Sequence, residues 1–175
     1  VSWTVDAVRQ SPDKAEFRIT WNCASPFSFR AESEVVLAGP RIESSFEVIN
    51  RSPDAVISDV AYPSYAFARL TGGNDTMVYP WMSGVLVKNP MEEQFIFGQE
   101  GVFPSGRIPL QFAAYYDDAN GIYFGVEDGL ARTKRYSATG KRGNLNIVWS
   151  SPVPAAVDGR GGNSFKLNGK AVIEL

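Results

Sequence analysis

The stretch Arg107–Asp128, RIPLQFAAYYDDANGIYFGVED, is typical of a long β-hairpin. Two runs of alternating side chains flank a turn at Asp117–Gly121, where Gly121 can take a positive φ without steric cost. One face of this hairpin is almost wholly apolar, so we expect it to be buried. The residues predicted to be buried are Ile108, Leu110, Phe112, Phe124 and Val126.

The opposite face of the hairpin carries Gln111, Tyr115, Tyr123 and Glu127. Aromatic area next to hydrogen-bonding groups is what a sugar-binding surface needs, so these four are candidate carbohydrate-binding residues. Trp81, which follows a proline in a loop, is a candidate stacking platform. The alternative is purely structural: the four residues complete a second half-buried face, and Trp81 plugs one end of the fold.

The composition is that of an ordinary globular protein, and the length suits one good-sized domain or two small ones. The 175 residues are 44% hydrophobic and 21% charged, with a formal net charge of −2. No run of Lys or Arg stands out, which argues against a nucleic-acid partner. No apolar run is long enough to cross a bilayer, so a membrane partner is not expected either.

The chain contains no histidine and a single cysteine, Cys23. The absence of histidine excludes Ser-His-Asp and Cys-His nucleophile systems and most zinc sites. The single cysteine excludes an internal disulfide. The sequence therefore predicts neither a metal site nor a cofactor.

Many short apolar alternations separated by Gly, Pro and Asn predict an all-β, antiparallel β-sandwich. Little helix is expected, at most one turn near Met91–Gln94. The strand-borne tryptophans Trp3, Trp21 and Trp149 are expected in the core. Strands outside the hairpin are predicted at Trp3–Val8, Glu16–Cys23, Ser33–Leu37, Ser45–Ile49, Val56–Tyr62 (ended by Pro63), Tyr65–Leu70 and Leu145–Trp149, with shorter ones between and after them.

A series of short motifs between Ser45 and Trp149 carries a family resemblance. They are Val60-Ala-Tyr-Pro63, Tyr79-Pro-Trp81, Lys88-Asn-Pro90, Phe103-Pro-Ser-Gly106, Leu110-Gln111, Tyr115-Tyr-Asp117 and Gly121-Ile-Tyr123. In this order they resemble the N-terminal galactose-mutarotase-like "super-sandwich" of large multidomain glycoside hydrolases.

The resemblance implies a sugar-handling architecture but carries over no catalytic residue. In the resembled enzymes the chemistry belongs to a (β/α)₈ barrel that follows the sandwich, and such a barrel needs about 250 residues by itself. The resembled mutarotases use histidine, which this chain lacks. Residues 1–175 are therefore expected to be one sandwich domain cut from a longer, secreted or periplasmic, carbohydrate-active enzyme.

Three hypotheses follow for function. The chain is a non-catalytic module that binds an oligo- or polysaccharide, or a structural sandwich that packs on an adjacent catalytic domain of the same polypeptide. The third is a carboxylate-based glycosidase or epimerase, which needs a second carboxylate facing Glu127 across a cleft. Asp117 and Asp118 are expected to be solvated turn residues, and Asp128 to cap the turn after the hairpin.

Overall fold

The computed structural model describes residues 1–92, 95–97, 101–141, 143–154 and 161–175, and every regular element in these ranges is a β-strand. Residues 93–94, half of the expected helical turn, lie outside them. The strands are β1 Ser2–Ser11, β2 Lys14–Cys23, β3 Phe29–Ala38, β4 Arg41–Asn50, β5 Asp59–Ala68, β6 Thr76–Tyr79, β7 Val85–Lys88, β8 Phe95–Phe97, β9 Val102–Phe103, β10 Phe112–Tyr116, β11 Gly121–Glu127, β12 Lys134–Lys141, β13 Asn144–Pro152, β14 Ser164–Lys166 and β15 Lys170–Glu174.

The described strands form two antiparallel sheets, which confirms the all-β sandwich. The large sheet has ten strands in the order β1-β2-β3-β4-β15-β11-β10-β6-β7, with β14 also paired to β4. The small sheet has five strands in the order β5-β13-β12-β8, with β9 paired to β12. Long-range pairings such as β4 with β15 close the chain on itself, so the C-terminal strand lies in the middle of the large sheet.

The core lies between the small sheet and the β15-β11-β10-β6 part of the large sheet. Aromatic rings join the two layers: Tyr136 of the small sheet stacks on Trp149 at 4.2 Å and on Tyr79 of the large sheet at 5.0 Å between ring centroids. Phe124 of β11 meets Phe67 of β5 at 5.1 Å. Phe124, Trp149, Tyr136 and Tyr79 are all fully buried.

The hairpin is present as β10 and β11, but the buried face of β10 is the opposite of the one predicted. Ile108, Phe124 and Val126 are buried, as predicted. The prediction is wrong for Leu110, which is 45% exposed, and for Phe112, which is only half-buried and lies on the outer face.

The pairing across the turn explains the inversion. The four-residue turn 117–120 pairs Tyr115 with Ile122, so Tyr115 shares the buried face with the even-numbered residues of β11. A shift of one residue in the pairing register moves all side chains of a strand to the other face of the sheet. β10 begins at Phe112, so residues 107–111 lie before it. The last of them, Gln111, still contacts β11, because its carbonyl accepts a hydrogen bond from the Val126 amide. That carbonyl lies 2.5 Å from where a Cβ on Gly125 would stand, so only glycine fits there.

One long strand, β5, replaces the two strands predicted on either side of Pro63. The β13–β5 register shifts between Val148 and Ser150, opposite this proline. A proline lacks the N–H that a ladder needs, and such an irregularity is where a strand tolerates it. The strand therefore continues through Pro63 instead of ending there.

The small sheet does not cover the whole core-facing side of the large sheet. Its edge strand β5 reaches β4 and β3, where Tyr62 stacks on Phe46 at 4.5 Å and shares a 3.0 Å hydrogen bond with Ser33. Beyond β3, strands β2 and β1 extend outward, and every residue of β1 is exposed. The core prediction holds for Trp149, is half right for the half-buried Trp21, and is wrong for Trp3, which is 65% exposed.

Candidate functional site

Two of the predicted carbohydrate-binding residues, Gln111 and Tyr115, have internal hydrogen-bond partners. The Tyr115 hydroxyl donates to Asp75 Oδ2 at 2.7 Å, and the tyrosine is fully buried. Burial, together with this bond to the carboxylate, raises the pKa of Tyr115 well above its ordinary value. Gln111 Nε2 donates to the Asp128 carbonyl at 2.9 Å. Both side chains therefore connect loops to the sandwich.

The other two hairpin residues, Tyr123 and Glu127, lie on the outer, solvent-facing side of the large sheet. Tyr123 packs beside Phe112, with 5.5 Å between the ring centroids. Partial burial is the main cause that raises the pKa of Tyr123, and the nearby negative charge of Glu127 adds to it. Since Tyr115 projects to the core and Tyr123 away from it, the four predicted residues do not form one patch. Whether any of them binds carbohydrate stays a prediction.

Glu127 belongs to an ion-pair cluster on that outer face. Arg41 donates to Glu127 at 3.0 Å, to Glu174 at 3.0 Å and to Glu43 at 2.8 Å. Lys170 donates to Glu43 at 2.7 Å. The hydrogen bonds that Arg41 donates, first to Glu43 and next to Glu127 and Glu174, raise the pKa of Arg41. The hydrogen bonds that Glu43 accepts from Lys170 and Arg41 lower the pKa of Glu43. The cluster is solvent-exposed, so its contribution to stability is small.

Trp81 packs against the end of the core instead of standing free. Its ring is stacked on Tyr79 at 6.4 Å, and the Arg107 guanidinium lies 5.8 Å from the ring centroid. The ring is half-buried and adjoins the main hydrophobic cluster. This geometry favours the structural interpretation of Trp81, and a role in carbohydrate binding stays a prediction.

A buried ion pair at the end of the hairpin was not foreseen. Asp128 and Lys134 are each 2% exposed, and Lys134 Nζ donates to Asp128 Oδ2. Asp128 also accepts from the amides of Leu130 and Arg132 and from Asn168 Nδ2, so it does cap the turn after the hairpin. Burial opposes its ionisation, but the bonds from Lys134, Asn168 and Leu130 outweigh burial and lower its pKa.

The expectation that Asp117 is solvated is wrong. It is only 8% exposed and accepts hydrogen bonds from the amides of Ala119, Asn120 and Gly72. These bonds, the one from Ala119 foremost, lower its pKa. Asp117 therefore fixes the tip of the hairpin and attaches it to the loop before β6. Asp118 is exposed, as expected.

The pKa shifts resolved for carboxyl groups among the described residues run opposite to the shift of a glycosidase acid. Such an enzyme needs one carboxyl group with a raised pKa, whereas every described carboxyl group with a resolved shift is shifted downward. Glu174 and Glu43 share the Arg41 guanidinium with Glu127 on the outer face of the sheet. Within the described ranges no three carboxylates or thiols converge on a metal-sized site. No helix there is long and apolar enough to span a membrane.

Comparison with known proteins identifies the fold. No family model and no curated protein matches the sequence. Among solved structures, the chain is similar to the α-N-acetylgalactosaminidase NagBb of Bifidobacterium bifidum in its GalNAc complex, with a TM-score of 0.66 and 14% identity. That match covers 98% of this chain and 27% of NagBb. A second similar structure is the Slr1438 protein of Synechocystis sp. PCC 6803, with a TM-score of 0.52 and 15% identity over 98% of this chain and 64% of that one.

The chain thus spans about a quarter of the glycosidase that it matches and has the fold of one part of that enzyme. This confirms the coarser expectation, a sandwich of the kind found within a glycoside hydrolase chain. At such low identity the likeness shows the fold alone. The narrower assignment to mutarotase-like sandwiches stays a prediction.

Proposed function

We propose that residues 1–175 form one non-catalytic β-sandwich module of a longer glycoside hydrolase, and that the module packs on the catalytic domain of that polypeptide. The observation that carries this proposal is the uncovered part of the large sheet. Its apolar side chains, here called the open face, are Trp3, Val5, Phe17, Ile19, Trp21, Val35 and Leu37.

The register places the open face on the side of the sheet that faces the core. Trp3 pairs with Trp21, and Trp21 with Ala31, which belongs to a buried cluster. The open face is therefore an extension of the core beyond the edge of the small sheet. Trp3 is 65% and Val5 49% exposed, and the rest are half-buried. A contiguous apolar patch of this kind marks an interaction surface.

The opposite side of the same strands has the character of a permanent solvent surface. It carries the ion pairs Arg18–Glu34 at 2.8 Å and Arg30–Glu32, together with Thr4. An antiparallel sheet with one apolar and one charged side normally buries the apolar side. Because β5 leaves the open face uncovered, a second domain of the same polypeptide is the occupant that we propose for it.

In the part of the chain that the structure describes, no two carboxylates are placed as an acid pair around Glu127, which supports a non-catalytic role. Glu127 is held by Arg41 on an exposed surface, and the pKa shifts of the described carboxyl groups run opposite to those of a general acid. The fold is shared with about a quarter of NagBb, which is an α-N-acetylgalactosaminidase. We therefore assign any hydrolysis to another part of the polypeptide.

Hydroxyl-radical footprinting of the full-length polypeptide tests the docking. We expect Trp3 and Val5 to be oxidised in the isolated chain and protected in the full-length protein. The double variant Trp3→Asp/Val5→Asp should shorten the thermal half-life of glycosidase activity in the full-length protein. The matched control is Ser2→Asp/Thr4→Asp, which adds the same charge on the same strand but on the solvent side.

Equal oxidation of Trp3 in both forms, or equal loss of half-life in both double variants, would overturn the docking proposal. Steady hydrolysis of a glycoside by the pure isolated chain, lost on Glu127→Gln, would overturn the non-catalytic assignment.

Carbohydrate binding by the hairpin is a second candidate function, with Trp81, Gln111, Tyr115, Tyr123 and Glu127 as the predicted residues. The observation that favours part of it is the half-buried aromatic pair Tyr123 and Phe112, which pack together on the outer face. Gln111 and Tyr115 would contribute only indirectly, through the loops that they hold. The variant Tyr123→Ala tests this candidate in the titration described next.

A further inference from the structure

We infer that a polar cavity at the tip of the hairpin is a binding site for a single hydroxyl-rich pyranose ring. The cavity has a volume of about 260 Å³. It is lined by Asn74, Asp75, Thr76, Lys88, Asn89, Tyr116 and Asp118. This site lies outside the open face and does not depend on the docking proposed above.

The floor of the cavity is one row of side chains across three neighbouring strands. Tyr116 of β10 pairs with Thr76 of β6, which pairs with Lys88 of β7. The adjacent residues Tyr115 and Met77 are fully buried, so the row projects to the solvent side. With strands about 4.8 Å apart, Tyr116 and Lys88 stand roughly 10 Å from each other, with a threonine hydroxyl between them.

Hydrogen bonds hold the two loops that form the walls. Asn74 Nδ2 donates to Asp118 Oδ2 at 2.7 Å, which joins the loop before β6 to the hairpin tip. The Asn89 amide donates to the Asp75 carbonyl at 2.7 Å and closes the other side. Asn74 and Asn89 have φ values of 54° and 49°, a left-handed conformation that asparagine adopts more readily than most residues. A preformed site loses little entropy when it binds a ligand.

The chemistry of the lining fits a sugar. The Tyr116 ring, 37% exposed, offers an apolar surface for the C–H face of a pyranose. Lys88 and the asparagine amides donate hydrogen bonds, and Asp118 accepts them, so both kinds of hydroxyl contact are available. The volume is below the roughly 300–1,000 Å³ of sites for drug-sized ligands and suits one ring.

A buried carboxylate beside the cavity has an unused acceptor. Asp75 is 2% exposed, and its Oδ2 accepts a hydrogen bond from the Tyr115 hydroxyl. The same oxygen lies 3.3 Å from Arg69 Nε, so the carboxylate is paired with a positive charge. Its Oδ1 has no donor among the residues that the structure describes. This oxygen is itself inaccessible, and the carboxylate bonds to Tyr115 on the core side, so Asp75 supports the loop at the cavity wall and is not counted as a ligand contact. One lysine is too little positive charge to select a phosphate group, and it repels a metal cation.

Titration of the ¹⁵N-labelled chain with methyl pyranosides of glucose, galactose, mannose and N-acetylgalactosamine tests the site. We expect at least one to bind with a Kd in about the millimolar range, and to shift the amide signals of residues 74–76, 88–89 and 116–118. Tyr116→Ala should weaken binding at least about tenfold, and Lys88→Met severalfold. Phe27→Ala, at an exposed aromatic residue in the loop between β2 and β3, is the matched aromatic control and should leave the affinity unchanged. Tyr123→Ala is titrated in parallel to test the second candidate function.

Three results would overturn the inference: no shifts with any pyranoside at about 100 mM, shifts confined to other residues, or full binding by a folded Tyr116→Ala chain. Loss of binding in Tyr123→Ala but not in Tyr116→Ala would move the site along the outer face, from the hairpin tip to the surface around Tyr123. Because the titration uses the isolated chain, its failure leaves the docking proposal standing, and failure of the footprinting leaves the cavity standing.

Discussion

Replacing Phe124 and Phe112 by alanine, one at a time, is the most direct test of which side of each hairpin strand is buried. Phe124 is fully buried on β11 and meets two rings of the small sheet, Phe67 at 5.1 Å and Tyr65 edge-on at 6.2 Å. Truncation of a buried phenylalanine costs about 3–5 kcal/mol. Phe112 was predicted from the sequence to be just as buried, but it is only half-buried and packs on Tyr123. Its truncation should cost about 1–2 kcal/mol.

Urea denaturation followed by tryptophan fluorescence measures both losses. With an m-value of about 2 kcal/mol/M, the Phe124→Ala midpoint should fall by about 2 M and the Phe112→Ala midpoint by less than about 1 M. Phe124→Leu is the milder variant if the alanine chain does not fold. Equal midpoints for Phe112→Ala and Phe124→Ala, or a larger fall for Phe112→Ala, would refute the observed register.

Two further variants test the buried polar groups. Asp128→Asn leaves the Lys134 ammonium buried without its carboxylate, and should cost about 3–5 kcal/mol at neutral pH. Because the pKa of Asp128 lies below its ordinary 3.8, its contribution is complete above about pH 4 and lost as the pH falls through the folded pKa. The gap between wild type and variant in urea midpoints should therefore narrow below about pH 4, and a gap that does not change with pH would contradict this. Tyr115→Phe removes the donor to Asp75 Oδ2 and should lower the free energy of unfolding by about 1–2 kcal/mol. The control on the outer face, Tyr123→Phe, should stay within about 0.5 kcal/mol of the wild-type value. Equal effects of the two variants would mean that the Tyr115–Asp75 hydrogen bond contributes nothing to stability.

The fold class and most strands could be predicted because alternation and turn residues are local signals. Strands β1, β2, β3 and β4 each contain the shorter segment that the sequence indicated. The buried side of β11 was also correct. The faces of β10 were not, because they depend on register, which is set across the hairpin by the length of the turn. Counting back from the turn 117–120 pairs Tyr115 with Ile122, and that count is the signal that would have placed Tyr115 in the core.

The candidate site was harder to predict, since it depends on contacts distant in sequence. Nothing within the hairpin shows that Tyr115 bonds to Asp75, or that Arg41, 86 residues away, holds Glu127. Lys134 lies in a polar stretch where a lysine is normally exposed, so its burial with Asp128 was not visible either. Conversely, Trp3 looks like a core residue in sequence and is exposed only because β5 ends the small sheet before β2.

The two proposed surfaces do not compete for the same space. The open face lies on β1, β2 and β3, and the cavity lies at the ends of β10, β6 and β7, at the far edge of the large sheet. Six inter-strand steps of about 4.8 Å separate β2 from β6, or roughly 29 Å along the sheet. They are also on opposite sides: the open face continues the core, while Tyr116, Thr76 and Lys88 project away from it. If both proposals hold, a domain docked on the open face does not occupy the cavity, and the two surfaces can be tested independently of each other.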